Sequence, residues 1–176
     1  MTILETERTI LETDRLRLRK LTIEDADFIL RLLNEPSFIQ NIGDKRVRTL
    51  EDARSYILTG PITSYDKFGF GLWLVEDKTD SVPMGMCGLL KRDTLEDVDI
   101  GYALAPEFWS KGFAIEAAAA ILRYANHDLG LKRIVAIVSP GNDSSIRLLE
   151  KLGFSFEKMI RLSEGAEEIK LFGRDL

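Results

Sequence analysis

The run Pro106-Glu-Phe-Trp-Ser-Lys-Gly-Phe-Ala114 constrains this chain more than any other stretch, because it joins a strand pattern to a long amphipathic helix pattern. Upstream, Val98, Ile100, Tyr102 and Leu104 alternate with Asp97, Asp99, Gly101 and Ala103, the period of a strand. Downstream, Ile115, Ala118, Ala119, Leu122, Ala125 and Leu129 recur at helical spacing. Glu116, Arg123 and His127 fall on the other face, and Gly130 supplies a stop. A small loop containing Gly112 and Ala114 lets the main chain approach a ligand closely, and the free N–H groups of the first helical turn then point at it. Such a unit can cradle an anion, and a pyrophosphate suits it; a glycine at this turn also serves plain chain reversal. Two other phosphate loops are excluded. No G-x-x-x-x-G-K-[ST] occurs, and the nearest approach to G-x-G-x-x-G, Gly69-Phe-Gly71-Leu-Trp-Leu74, ends in Leu.

Taken with Ile100-Gly-Tyr-Ala-Leu-Ala105 before it, and with Asn142-Asp-Ser-Ser145 and Lys151-Leu-Gly-Phe154 after it, this stretch resembles the GNAT acetyltransferases. Within them it is similar to the branch of ribosomal-protein N-acetyltransferases. In the family signature Gln/Arg-x-x-Gly-x-Gly/Ala, Gly112 and Ala114 fit, and Trp109 stands where Gln or Arg is commonest. The resemblance runs in softer form from about Thr13 to the C-terminus. It implies an α/β fold in one domain over 1–176: a mixed, mostly antiparallel central sheet with helices on both faces, splayed between strands ending near Ala105 and Ser139. It also implies acetyl-CoA as co-substrate and no metal. The pyrophosphate would lie on the loop formed by Trp109, Ser110, Lys111, Gly112, Phe113 and Ala114, and a backbone N–H near Leu104 would polarise the thioester carbonyl.

The bulk properties agree with one domain. A chain of 176 residues with 45% hydrophobic content can bury a core without metal or disulfide help. The net charge of −5 gives no basic footprint for nucleic acid and suits a cationic acceptor such as an amine. The single cysteine, Cys87, excludes an internal disulfide and reads as a packed thiol. No apolar run reaches membrane-spanning length, and the acidic N-terminus is unlike a secretory signal, so a cytoplasmic protein is expected. Monomer and homodimer both remain open.

Along the chain, Arg15 to Leu21 alternates basic and apolar residues, predicting a first strand with Leu16 and Leu18 inward and a solvated face of arginines. Thr22 with Asp25, and Thr49 with Asp52, announce two short helices. The first has Ala26, Ile29, Leu30 and Leu33 on one face and ends at Pro36; the second has Leu50, Ala53 and Ile57 and ends at Gly60-Pro61. The runs 36–48 and 63–69 read as loops. Phe70–Glu76 and Val82–Arg92 read as a hairpin, Arg133–Val138 as a buried strand, and Phe154–Leu162 with Ala166–Phe172 as a closing hairpin.

Neither a metal hydrolase nor a Ser-His hydrolase fits one solvated histidine, His127, and no G-x-S-x-G elbow. Acyl transfer from a thioester needs less: orientation, an unprotonated amine, carbonyl polarisation and a proton for the departing thiolate. Asp99 is the candidate base, with Asp97 on the same face; both also read as polar residues at an exposed strand end, and a water chain can do the same work. Asn142 and Ser145 read as helix-start residues. The resemblance gives them a second role, with Asn142 on the cofactor arm and Ser145 near its sulfur. Many family members carry Tyr where this chain has Leu149, which cannot return a proton, so Ser145 is the candidate for that step. The acceptor is a protein N-terminal α-amine or a small primary amine. A non-catalytic acyl-CoA-binding or sensing module is the alternative.

Overall fold

A computed structural model describes residues 8–176. Eight strands form one sheet in the order β1-β2-β3-β4-β5-β6-β8-β7. These are β1 (Thr9–Glu12), β2 (Leu16–Arg19), β3 (Leu72–Asp77), β4 (Pro83–Leu90), β5 (Asp99–Leu104), β6 (Arg133–Val138), β7 (Ser155–Ile160) and β8 (Ile169–Asp175). Every neighbouring pair is antiparallel except β5 and β6. Those two run parallel and touch at a single register pair, Asp99 opposite Val135, beside a bond from the Val135 N–H to the Val98 carbonyl (3.0 Å). Beyond that point they part, which is the expected splay.

Helices cover both faces. On one, α5 (Phe113–His127) buries Ala117, Ala118, Ile121 and Ala125 against Leu16, Leu18, Trp73 and Val75, joined by Leu149 of α6 (Asp143–Lys151). On the other, α1 (Ala26–Leu33), α2 (Pro36–Asn41) and α3 (Leu50–Ile57) pack on Leu74, Met86 and Ala105, while α4 (Thr63–Phe68) sends Tyr65 into the first core. Alternation along β5 follows from this division: Ile100, Tyr102 and Leu104 face α5, while Asp99, Gly101 and Ala103 face α1 and α3.

Both runs expected to be loops contain helices. Pro36, read as the end of α1, instead begins α2, where a missing N–H is harmless at the first helical position. Gly60-Pro61 does not stop α3, because a π-helical turn over Leu58–Ile62 absorbs the proline and leads into α4. Thr63 Oγ caps a carbonyl freed by that turn, donating to Leu58 O at 2.8 Å. Tyr65 then inserts between layers, its hydroxyl accepting from Leu21 N (3.1 Å) and donating to the Leu72 carbonyl. In α1, Ala26, Ile29 and Leu33 pack inward as expected, joined by Phe28 and Leu32, whereas Leu30 is only half-buried.

Strand β1 precedes Arg15–Leu21, which the sequence presented as the first strand; residues 1–7 lie outside the described part. The arginines of β2 are not a solvated face. Arg17 pairs with Glu12 (3.0 Å) and Glu76 (3.2 Å), and Arg19 pairs with Asp25 (2.8 Å) and Glu76 (2.9 Å). Glu76 on β3 is only 3% exposed, and its burial is tolerable because two guanidiniums share it.

Candidate active site

The parting of β5 from β6 opens a cleft of about 900 Å³. The cleft is walled by β5, β6, the loop before α5, the start of α6, and residues of α2 and α3. Trp109, Ser110, Gly112, Phe113 and Ala114 line it at one end. Ser110 (φ 59°) and Gly112 (φ 82°) both take left-handed backbone, which coils the loop so that α5 begins without any side-chain cap. The Glu116 N–H already reaches Gly112 O at 3.1 Å, so the N–H groups of Phe113, Ala114 and Ile115 are the orphan donors of this 15-residue helix. That geometry fits a pyrophosphate: positive dipole end, free donors and no Cβ at the closest approach. Trp109 is half-exposed, and its indole N–H donates to Leu104 O at 2.7 Å, tying the loop to the strand end. Lys111 is turned away from the cleft, Nζ donating to Glu107 O at 2.8 Å.

A clamp missed by sequence reading holds this loop. Arg15 Nη1 donates to Lys111 O (3.0 Å), its guanidinium lies 4.3 Å from the Phe113 ring centre, and Nε reaches Glu116 Oε2 at 2.7 Å. Thr13 Oγ and the Arg15 N–H both donate to Glu116 Oε1, at 2.5 and 3.1 Å. Burial works against the Glu116 charge, yet the bonds from Thr13 and Arg15 hold its pKa below the usual carboxylate value. Glu116 thus fastens the β1–β2 turn to the first turn of α5. Glu116→Ala should lower Tm by roughly 2–5 °C and weaken acetyl-CoA binding several-fold, because the loop loses its anchor. Thermal melts and calorimetry on one sample check both; an altered Tm with unaltered affinity would make the clamp a stability element alone.

At the apex of the cleft sits Asp99, 1% exposed, so the strand end that carries it is not an exposed one. Burial pushes its pKa up from the ordinary carboxylate value, and Arg92 opposes this, its Nε lying 3.1 and 3.2 Å from the two carboxylate oxygens. Asp97 does not line the cleft and is bound to Arg133 Nε at 3.1 Å. Asp99, the candidate base, therefore lines the cleft, and Asp97, expected on the same face of the strand, does not.

Between apex and cradle lies a pair of hydroxyls. Tyr102 of β5 and Ser145 of α6 are 2.6 Å apart, oxygen to oxygen. Burial pushes the Tyr102 phenol up to about 12, with the Ser145 bond pulling the other way, so the proton stays on the phenol at neutral pH. Asn142 is the N-cap, with Oδ1 accepting from Ser145 N (3.2 Å) and from Ser144 Oγ (3.0 Å). The capping reading thus holds for Asn142, while the Ser145 hydroxyl takes no part in the cap. Tyr102 was missed because the alternation made it a core aromatic; the cue was a phenol in the strand opposite a helix lacking the expected Tyr. Leu149 has no exposed surface and lines the cleft from α6, offering no hydroxyl there.

Similar proteins fit this geometry. Residues 15–155 match the family model described as "Acetyltransferase (GNAT) domain". The N-acetyltransferase YoaA of Bacillus subtilis (strain 168) is 35% identical over 153 residues, 86% of each chain. The N-acetyltransferase p20 of Bacillus licheniformis is 34% identical over 158 residues, 89% of this chain and 88% of its own. Among solved structures, RimL, a ribosomal α-N-protein acetyltransferase in complex with coenzyme A, superposes with a TM-score of 0.82 at 16% identity, covering 96% of this chain and 98% of that one. A family match over most of the chain, relatives above 30% identity, and a sheet split open beside an uncapped helix all agree: this chain belongs to the GNAT family of N-acetyltransferases.

Proposed function

We propose that the protein acetylates a primary amine, either a protein N-terminal α-amine or a small molecule, by direct attack on acetyl-CoA in a ternary complex. The observation that carries this reading is the position of Asp99 and the Tyr102–Ser145 pair on opposite faces of β5, both open to the one cleft. Acetyl-CoA supplies the thioester. The loop from Trp109 to Ala114 receives its pyrophosphate through main-chain N–H groups, and the amide of Asn142 faces its arm. Val98 turns its carbonyl toward β6, so alternation turns the N–H groups of Tyr102 and Leu104 into the gap, where Leu104 can polarise the carbonyl. Asp99, directly or through water, takes a proton from the acceptor ammonium, and the freed nitrogen attacks the carbonyl carbon. The C–N bond forms, the C–S bond breaks, the thiolate takes a proton from the Tyr102–Ser145 pair, and the second proton that the nitrogen sheds on becoming an amide passes through cleft water to restore that pair.

Thiolates leave readily, so the proton donor is worth less than the base. Tyr102→Phe should lower kcat by about tenfold with acetyl-CoA affinity nearly unchanged. Ser145→Ala should have a smaller effect, with Tm nearly constant, since its N–H rather than its hydroxyl is capped. Stopped-flow thiol release and calorimetry separate the two quantities; equal rates in parent and Tyr102→Phe would remove the phenol from the mechanism.

The test of the whole reading is acetyl-CoA turnover across N-terminal peptides, polyamines and amino acids. Product acetylated on nitrogen supports it. Tight acetyl-CoA binding with no turnover on any member would instead make the protein an acyl-CoA-binding or sensing module.

A further inference from the structure

The wall that α2, α3 and their connecting segment give to the cleft carries polar groups that the fold does not use. Lys45 and Tyr56 line the cleft there with Arg92 and Asp99. Among the described residues, no carboxylate lies within ion-pair distance of Lys45, and neither its ammonium nor the Tyr56 hydroxyl has a hydrogen-bond partner. Arg92 spends only Nε on Asp99, leaving its two terminal nitrogens unbonded. Lys45 keeps an exposed side chain at the rim of the cleft, where the desolvating wall first and then the charge of Arg92 hold its pKa below the usual lysine value. Burial likewise raises that of Tyr56, with Arg92 opposing. Two like charges and a phenol thus face one space with two carboxylates, Glu35 and Asp99, of which Asp99 is already engaged by Arg92 and neither pairs with Lys45. An anion entering there meets the Lys45 ammonium, the free end of the Arg92 guanidinium and the Tyr56 hydroxyl, donors to which the fold gives no other partner.

We infer that the acceptor is an amine carrying its own anionic group, a carboxylate or a phosphate, a few bonds from the nitrogen. Lys45 and the free end of Arg92 bind that group, Tyr56 donates to it, and the amine lies toward Asp99. A protein with a net charge of −5 therefore selects a substrate with negative charge, because local placement outweighs the total. This inference rests on the acetyl-transfer reading for the role of the bound molecule, though not for the anion site itself.

The experiment compares matched acceptors by thiol release: α-amino acids against their amides, and 2-aminoethyl phosphate against 2-aminoethanol. The anionic member of each pair should have a kcat/KM higher by about tenfold or more, chiefly through KM, the scale of one or two charge-assisted hydrogen bonds. Lys45→Ala should collapse that ratio toward one with acetyl-CoA affinity unchanged, and Lys45→Glu should reverse it. A second arm needs no turnover: propionate and inorganic phosphate are titrated into the CoA-loaded protein by calorimetry, with binding expected in the parent and lost in Lys45→Ala. Turnover without preference for the anionic member overturns the inference and leaves the acetyltransferase reading intact. Anion binding that depends on Lys45, with no amine acetylated, does the reverse. Absence of both preference and binding overturns the anion site.

Discussion

Gly112→Glu should weaken acetyl-CoA binding by about a hundredfold or more while the protein still folds. The substitution places a carboxylate where three orphan N–H groups await phosphate oxygens, so it adds repulsion and offers the donors an internal competitor. Part of any loss would be conformational, since Gly112 sits at φ 82° and a Cβ there would lie 3.3 Å from Arg15 Nη2. Gly112→Ala isolates that part: it should cost about 1–2 kcal/mol of stability for the left-handed backbone and leave most of the affinity in place. Ala114→Glu should resemble Gly112→Glu without the backbone term. Calorimetry on folded variants decides; a Gly112→Glu protein that binds acetyl-CoA like its parent would show that the cofactor does not rest on this loop.

The second large effect is expected at Asp99. Asp99→Asn should cut kcat/KM by about a hundredfold near neutral pH and by far less at high pH, where the free amine exists without help. A base works in its ionised form, so activity falls as pH drops through the Asp99 pKa. Burial raises that pKa above the ordinary carboxylate value, so the parent's acid limb should lie higher than an exposed aspartate would put it. In the variant that limb should vanish, and the rate should climb toward the acceptor's own pKa. Because Arg92 loses its partner, circular dichroism must first show a native fold. An unaltered pH–rate profile in a folded variant would clear Asp99 and leave water as the proton acceptor.

How much of this was legible in the residues depended on whether the cue was periodic or three-dimensional. The strand Arg133–Val138 and the start of α6 at Asn142 could be read, because an apolar β-branched run and a cap are local signals, whereas the splay flanking the cradle was implied by the family resemblance. Helices α2 and α4 could not, since proline is ambiguous in sequence: it ends one helix, begins another, or survives inside a π turn. Arg15 and Glu116 are 101 positions apart, and only the folded sheet brings them together. Asp97 and Asp99 look equivalent in an alternating strand until the parting point of β5 and β6 puts one at the cleft's apex and the other on Arg133. The Tyr102–Ser145 contact joins a strand to a helix 43 positions on, so neither residue announces the other.

The single register pair between β5 and β6 makes the enzyme's endurance a matter of supply. Past Asp99 and Val135 the facing main-chain edges receive no bond from each other, and apart from the Leu104 carbonyl held by Trp109 their polar groups need solvent whenever the gap is empty. An extended molecule with amides of its own, threaded between them, replaces that water and spans the two halves of the sheet. Occupancy then adds directly to resistance against unfolding, by about 2.7 kcal/mol when the ligand stands at a hundred times its Kd. A cell rich in acetyl-CoA would hold a sturdier population of this protein, and a starved one a population that opens and is degraded sooner.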